Sequence, residues 1–399
     1  MSFISNVNWI KGDKVLWCII ALLAIFSFLP VFSASSNLVY VIGKGTPYGY
    51  LFKHFVIMFL GFALLYTFHN IKYIYFKGIS VLMMPVVFIM LIYTALQGNI
   101  IGGANANRWM EIPFIGFSFQ TSTVASIVLM IYVAHYMSKT NKSILNLKNS
   151  IWLLWIPITS IVLLILPSNF STAAILFFMV IVQIYIGGYP IKYLVYILVS
   201  SFIIFFLFYL IAKAFPEYIP NRIDTWTSRI ENFKSGNPKG NYQIEQAKIA
   251  IATGGIYGKG AGKSVMKNFL PQSSSDFIYA IIVEEYGILG GIILILLYVL
   301  LLFRIIVIIH RTSNLFGKLL VVGLGIPIVF QAFINMGVTL QLFPVTGQTL
   351  PLVSSGGTSA WITFIALGII LSVSNSIQDI NSVNSKTNNN PLAILSEDK

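Results

Sequence analysis

Carboxylates are the scarce chemical groups of this 399-residue chain, which holds 12 Asp and Glu residues in all. Asp13, Asp379, Glu397 and Asp398 lie near the two ends; the others are Glu111, Glu217, Asp224, Glu231, Glu245, Asp276, Glu284 and Glu285. Asp276, in Ser273-Ser274-Ser275-Asp276-Phe277, opens a long apolar run. Ser and Asp at such a place cap a helix or sit in its first turn, where they meet free backbone N–H groups. A carboxylate fixed at a membrane–water boundary is also a general base, and the two roles are compatible. Glu284 and Glu285 follow roughly 12 Å deeper at the helical rise. Ionisable groups at that depth are costly and are either paired or functional. Arg108, Arg222 and Arg229 are the cations that could pair with them.

The run Gly254-Gly255-Ile256-Tyr257-Gly258-Lys259-Gly260-Ala261-Gly262-Lys263-Ser264 ends like a phosphate-binding P-loop, but that motif needs its first glycine at 257, where Tyr257 stands. The run is read first as a tightly turning connector. The alternative is a set of backbone N–H groups with Lys259, Lys263 and Lys267 gripping an anionic group such as a pyrophosphate. Arg222 and Arg229, seven residues apart, fall on one side of a helix, which suits an anionic headgroup or a solvated face. Trp109 and Trp226 fit an interfacial aromatic belt. Cys18 is the only cysteine, and His54, His69, His135 and His310 fall in separate regions, so no metal-ligand spacing is present.

The elements that position these groups are membrane helices. Hydrophobic residues make up 57% of the chain and charged ones 9%, far below the roughly 25% charged of soluble domains. The apolar residues come in blocks long enough to cross a hydrocarbon layer of roughly 30 Å. The blocks predict ten spans near 15–34, 51–68, 77–96, 118–137, 150–166, 171–187, 191–213, 276–303, 317–339 and 357–378. The fold class is thus an all-α integral membrane protein, with a long extracytoplasmic loop, about 214–275, between the seventh and eighth helices. Residues 1–378 form one polytopic domain and 379–399, rich in Asn and Ser, a disordered cytoplasmic tail. The first span, after Lys11 and Lys14, reads as an uncleaved anchor. Arg304 reads as a snorkelling anchor at the inner end of the eighth span.

The net charge of +13 is explained by position and needs no nucleic-acid partner. With the N-terminus inside, most basic residues fall in short inner segments. The outer segments other than the long loop hold only Lys44, Lys53 and Arg108, as the positive-inside rule expects. Both termini are then cytoplasmic, and Asp276, Glu284, Glu285 and the glycine-dense run collect at the outer face.

The outer-face segments resemble the SEDS family, which includes FtsW and RodA, over about Lys14 to Asn375. The resemblance is carried by Gly254-Gly255-Ile256-Tyr257-Gly258-Lys259-Gly260, Leu270-Pro271, Ser275-Asp276-Phe277-Ile278-Tyr279-Ala280, Glu284-Glu285 and Gly287. It continues in Asn335-Met336-Gly337-Val338, Pro344-Val345-Thr346-Gly347, Leu350-Pro351, Ser354 and Gly356-Gly357. The chain departs from the pattern too. A usual Gln-Pro-Ser-Glu-Leu-Ala-Lys reads Gln120-Thr121-Ser122-Thr123-Val124-Ala125-Ser126; Asn169 and Gln272 replace acids, and Ser355 replaces an aromatic.

The resemblance implies a peptidoglycan glycosyltransferase that polymerises lipid II at the outer face of the bacterial cytoplasmic membrane. It implies Asp276 as the catalytic base, and Arg108, Arg222, Arg229, Lys263, Glu284, Glu285, Thr346 and Ser354 as substrate-binding candidates. Its partners would be lipid II, the undecaprenyl pyrophosphate-linked glycan, a class B penicillin-binding protein and other divisome proteins. The opening Lys11-Gly12-Asp13-Lys14 and Phe32-Ser33-Ala34-Ser35 are more like the FtsW branch, active at the division septum, than the RodA branch of elongation. A magnesium or manganese ion bridging the pyrophosphate and a carboxylate would suit the reaction, although no residue pattern marks it. The competing readings are a lipid II flippase, whose transport fold would show paired repeats and midplane polar sites, and a non-catalytic divisome scaffold.

Overall fold

The structure, a computed structural model, describes residues 11–42, 46–96, 100–101, 104–105, 109–112, 117–140, 146–214, 227–229, 231, 233, 242–270 and 273–389. Ten apolar helices emerge at the ten predicted blocks. They are α1 (Lys14–Ile42), α2 (Pro47–Asn70), α3 (Phe76–Leu96), α4 (Thr121–Lys139), α5 (Leu147–Ile165), α6 (Phe170–Ile186), α7 (Ile191–Ala214), α9 (Ile278–Arg311), α10 (Leu315–Thr339) and α11 (Thr358–Asn389). Among the described residues nine are long enough to cross a membrane, and α6 is a shorter apolar helix. Helix α8 (Tyr242–Gly254) is the described helix of the long connection between α7 and α9. Large apolar side chains such as Phe202 and Leu82 lie exposed. On a soluble domain they would be an aggregation hazard; here they are the lipid-facing surface, since lipid tails are as apolar as the side chains they meet.

Two short hairpins join α3 to α4 where only a loop was expected. Strands β1 (Ile100–Ile101) and β2 (Ala104–Asn105) pair antiparallel, as do β3 (Trp109–Ile112) and β4 (Phe117–Gln120), with Trp109 opposite Gln120. Phe117-Ser118-Phe119-Gln120 alternates apolar and polar residues, the period of a strand, so α4 begins at Thr121 and not at 118. At the other end of the chain, α11 runs on to Asn389, past the point where a disordered tail is predicted. Extending an existing helix adds a hydrogen bond for each residue fixed and needs no new nucleus.

Helix α10 is the hub. It packs against α4, α6, α9 and α11 and is buried over most of its span. Helix α11 lies along α2, and α1 lies against α2 and α9. At 34 residues an unbroken α9 would reach roughly 50 Å, beyond the hydrocarbon layer. It does not run unbroken: Gly287 has φ 70° and ψ −174° and divides it into two helices.

Arg304 is more than a snorkelling anchor. Its Nε donates to both carboxylate oxygens of Asp13, at 2.7 and 2.6 Å, and Asp13 Oδ1 also accepts the N–H of Leu16 at 2.9 Å. One carboxylate thus caps α1 and ties it to α9. Asp13 is buried and Arg304 partly so. Breaking a buried pair from one side costs about 3–5 kcal/mol, and the partial exposure of Arg304 lowers that toward about 2–3 kcal/mol. Asp13→Ala is therefore expected to lower the melting temperature in detergent clearly. An unchanged melting curve would reduce the pair to a surface contact.

Candidate active site

Asp276 stands ahead of α9, not within its first turn. The helix begins at Ile278 with Phe277 at the N-cap position, and Asp276 belongs to the preceding turn, 273–277. Three successive carbonyls of that turn are occupied from outside it. Ser274 O accepts the N–H of Ser355 at 2.8 Å, Ser275 O the hydroxyl of Ser354 at 2.6 Å, and Asp276 O the amide Nδ2 of Asn335 at 2.8 Å. In a helix these carbonyls would accept N–H groups four residues on. Because they are engaged elsewhere, the ladder starts late, and Ala280 N–H closes a tighter bond to Phe277 O at 3.0 Å.

The groups that hold the turn come from the segment between α10 and α11, which folds back into the bundle. Leu350, Leu352 and Val353 are buried, and the hydroxyl of Tyr298, well inside α9, donates to Pro351 O. Gln331 Nε2 donates to Thr349 O at 2.9 Å, and Gln348 Nε2 to Thr172 Oγ1 at 2.8 Å. Leu352 takes φ 64°, a left-handed conformation that bulky side chains adopt only when the surroundings enforce it. Gly347, at φ 68°, lies under the Asp276 carboxylate: a Cβ there would stand 3.6 Å from Oδ2.

Gly347 also lines a cavity of about 140 Å³ between α4, α6, α10, α11 and this segment. Its polar lining includes Gln120, Thr123, Thr172, Gln331 and Thr363, with Met130 and Met179 among the apolar side chains. None of the lining residues is ionisable. The cavity therefore suits uncharged matter, with hydroxyl and amide groups to orient it, while the carboxylate stands at its edge across Gly347.

Glu284 and Glu285 perform a different task. Both are buried, and neither lines the cavity. Lys259 Nζ lies 2.7 Å from Glu284 Oε1, so among the described residues the cation that pairs with Glu284 is this lysine. Glu284 also accepts the N–H groups of Val265 and Met266, at 3.0 and 3.2 Å, and the hydroxyl of Ser264. Glu285 Oε1 accepts the hydroxyl of Ser33 on α1. The glycine-dense run lies against the break in α9: Lys259 N–H donates to Glu284 O and Gly260 N–H to Glu285 O, both at 2.9 Å. It is the connector of the first reading. Lys267 Nζ reaches Gly262 O at 2.9 Å and Ser33 Oγ at 3.3 Å, so two of the three lysines of this run make contacts within the fold.

The other candidates are distributed as follows. Arg229 donates from a guanidinium nitrogen to Val345 O at 3.0 Å, at the start of the inward-folding segment, and Thr346 follows next in the chain, half-buried. Ser354 is buried, with its hydroxyl donating to Ser275 O and accepting Leu350 N–H at 2.8 Å. It is a bracket for the turn. Lys263 is exposed, and its N–H closes a turn onto Gly260 O at 3.1 Å. Arg108 and Arg222 lie outside the described residues, as do Trp226 and Gln272.

Residues 13–379 match the family model described as cell cycle protein, that of FtsW, RodA and SpoVE. The chain belongs to the FtsW/RodA/SpoVE family. A probable peptidoglycan glycosyltransferase FtsW of Coxiella burnetii (strain RSA 493 / Nine Mile phase I) is 30% identical to it, over 92% of this chain and 97% of the relative. Stage V sporulation protein E of Bacillus subtilis (strain 168) is also 30% identical, over 91% and 96%. Two solved structures share the fold at 23% identity. One is a chain of a peptidoglycan synthase complex, with a TM-score of 0.70 over 92% of this chain and 99% of that one. The other is the rod shape determining protein RodA of Thermus thermophilus, with a TM-score of 0.65 over 92% and 98%.

The positions at which this FtsW/RodA/SpoVE family member departs from the family pattern now have places. Thr123 and Ser126, found where that pattern has an acid and a lysine, line the cavity and leave it neutral. Asn169 caps α6, its Oδ1 accepting Thr172 N–H at 3.3 Å, work that an acid would also do. Ser355 reaches the turn through its backbone N–H, which any residue there could supply. Sequence reasoning gave no role to Gln331 or to Asn335, although Asn335 stands in a segment that carries the resemblance. Their signal was present: amides four residues apart in an apolar span share one helix face, and polar groups inside a membrane helix are costly unless used.

Proposed function

We propose that this chain polymerises lipid II into peptidoglycan glycan strands at the outer face of the bacterial cytoplasmic membrane. The observation that carries the reading is the Asp276 carboxylate, borne on a turn whose backbone carbonyls accept three outside hydrogen bonds and standing over Gly347 at the edge of an uncharged cavity. The membership of the chain in a family that includes relatives named for this activity supports it. One lipid II supplies the 4-hydroxyl of its GlcNAc as acceptor, and the growing lipid-linked strand is the donor. Asp276 takes the hydroxyl proton as the oxygen attacks the anomeric carbon, and undecaprenyl pyrophosphate leaves. A single displacement inverts the α-linked donor to a β-linked product. Arg229 is tied to this loop set through Val345 O, and with Arg108, Arg222 and Lys263 it would stabilise the charge that grows on the pyrophosphate. The cavity would receive uncharged sugar or prenyl portions.

Among the described residues no group of three or more His, Cys, Asp or Glu side chains could hold a metal ion. A magnesium or manganese ion bridging the pyrophosphate and a carboxylate would neutralise charge on the leaving group, and the steps above do not pass through it. The distribution of Lys and Arg supports cytoplasmic termini. The FtsW-like opening supports work at the division septum with a class B penicillin-binding protein and other divisome proteins.

The test is polymerisation of labelled lipid II by the purified chain together with its penicillin-binding protein carrying an inactivated transpeptidase site. Long glycan strands on a gel are the expected result. Translocation of lipid II across liposomes without strands would make the chain a flippase, and neither product would make it a scaffold.

A further inference from the structure

We infer that Asn335 is the positioning residue of the general base, acting on Asp276 through its backbone; the inference rests on the polymerase reading above. Asn335 lies on α10, is almost fully buried, and sends both hydrogens of its side-chain amide into carbonyls of two different segments. Nδ2 donates to Asp276 O at 2.8 Å and to Gln348 O at 2.7 Å. The orientation of the amide is settled by chemistry: turned over, its oxygen would face two carbonyl oxygens. Oδ1 has no hydrogen-bond partner among the described residues, so this position is matched to the two donors and not to the acceptor.

A single NH₂ therefore bolts together the Asp276 turn and the loop carrying Gly347, the surface over which the carboxylate stands. The other two bonds to the turn, from Ser355 N–H and Ser354 Oγ, reach Ser274 O and Ser275 O. Of the three, the Asn335 bond alone is made to the carbonyl of the base residue itself. It arises from the hub helix and not from the loop. Proton abstraction needs the base within about 2.6–3.2 Å of the hydroxyl it serves, and an error of about 1 Å in such a position costs on the order of 10²-fold in rate. The group that sets the Asp276 carbonyl sets that distance without touching substrate.

The position accepts few alternatives. Aspartate has the same shape but would set a charged oxygen, where Nδ2 now donates, against the two carbonyls. Serine supplies one donor, and alanine none. The expected order of kcat is wild type, then Asn335→Ser, then Asn335→Ala, with Asn335→Asp lowest.

The experiment is strand synthesis at varied lipid II concentration by wild type, Asn335→Ala, Asn335→Ser and Ser354→Ala, each normalised to folded protein by its melting curve. The expected result is a fall in kcat of on the order of 10²-fold for Asn335→Ala, with KM for lipid II within about twofold of wild type, and a smaller fall for Asn335→Ser. A residue that merely held the bundle together would lower the amount of folded enzyme and leave kcat per folded molecule unchanged. Folded Asn335→Ala with wild-type kcat, or a loss confined to KM, overturns the inference. If Asn335→Ala does not fold, Asn335→Ser decides it by the same split, and a kcat for Ser354→Ala as low as that of Asn335→Ser overturns the special place given to Asn335. An inactive wild type overturns the polymerase reading instead, and this inference with it.

Discussion

Asp276→Asn is expected to remove strand synthesis to within a background set by the remaining binding groups, a loss of about 10²–10⁴-fold, the range that a positioned general base supplies. The substitution is nearly isosteric, and asparagine serves as well as aspartate near a helix start, so the protein should fold and melt as wild type does. The bonds that fix the turn are made by the carbonyls of Ser274, Ser275 and Asp276, and an amide side chain leaves them in place. What changes is the charge and, with it, proton affinity: the amide cannot take the hydroxyl proton of the acceptor sugar. Lipid II binding should persist, because the cavity is uncharged and the cations around the outer loops are untouched. Glycan synthesis by folded Asp276→Asn at the wild-type rate would return Asp276 to a helix-start role and leave the chain without its proposed base.

The ten helices were legible because a membrane span writes itself as an unbroken apolar block, and among the described residues each block holds a helix, with the ends differing. The strand Phe117–Gln120 was hidden inside such a block. The partner of Glu284 was not legible for a different reason. Depth said that the carboxylate must be paired, but the partners named from sequence were the arginines of the outer segments, and Lys259 was not among them. The choice depends on how the glycine run turns back on α9, which no local pattern encodes. Likewise the cavity gathers side chains from four helices and a loop, and only the packing of α10 at the centre brings them together. Asp276 was legible as chemistry yet ambiguous in role, since a capping residue and a base share one residue type. The three external bonds to its turn favour the base: they fix its backbone with groups that a simple helix start does not require.

Gly287→Ala is expected to be the most damaging small substitution in the described chain, and it would act on folding, not on chemistry. Gly287 lies at φ 70° and ψ −174°, a region open to glycine and closed to other residues, worth roughly 1–3 kcal/mol of strain when forced. Space is lacking too. A Cβ on Gly287 would stand 2.1 Å from Ile256 O and 2.6 Å from Gly258 N. These are backbone atoms and cannot rotate away as a side chain would. They are held by the bonds that lay the glycine run on α9, including Ile288 N–H to Gly255 O at 2.9 Å, so relief means opening the run and exposing the Glu284–Lys259 pair. The total should exceed about 3 kcal/mol, since losing one side of a buried pair alone costs about that. The reciprocal change Gly258→Ala meets Glu285 O at 2.2 Å at φ 82° and should behave alike. Two controls separate the causes. Gly262→Ala, at φ 79° with nothing within 4 Å, carries strain alone, about 1–2 kcal/mol. Gly78→Ala, on α3 with open space around it, should stabilise slightly, by about 0.5–1 kcal/mol. Monodisperse yield and thermal unfolding in detergent give the ranking. If Gly287→Ala melts with Gly262→Ala, the glycine run is loosely laid on α9, and the first half of that helix, with Asp276 just ahead of it, is held by the Asn335 and Ser354 bonds alone.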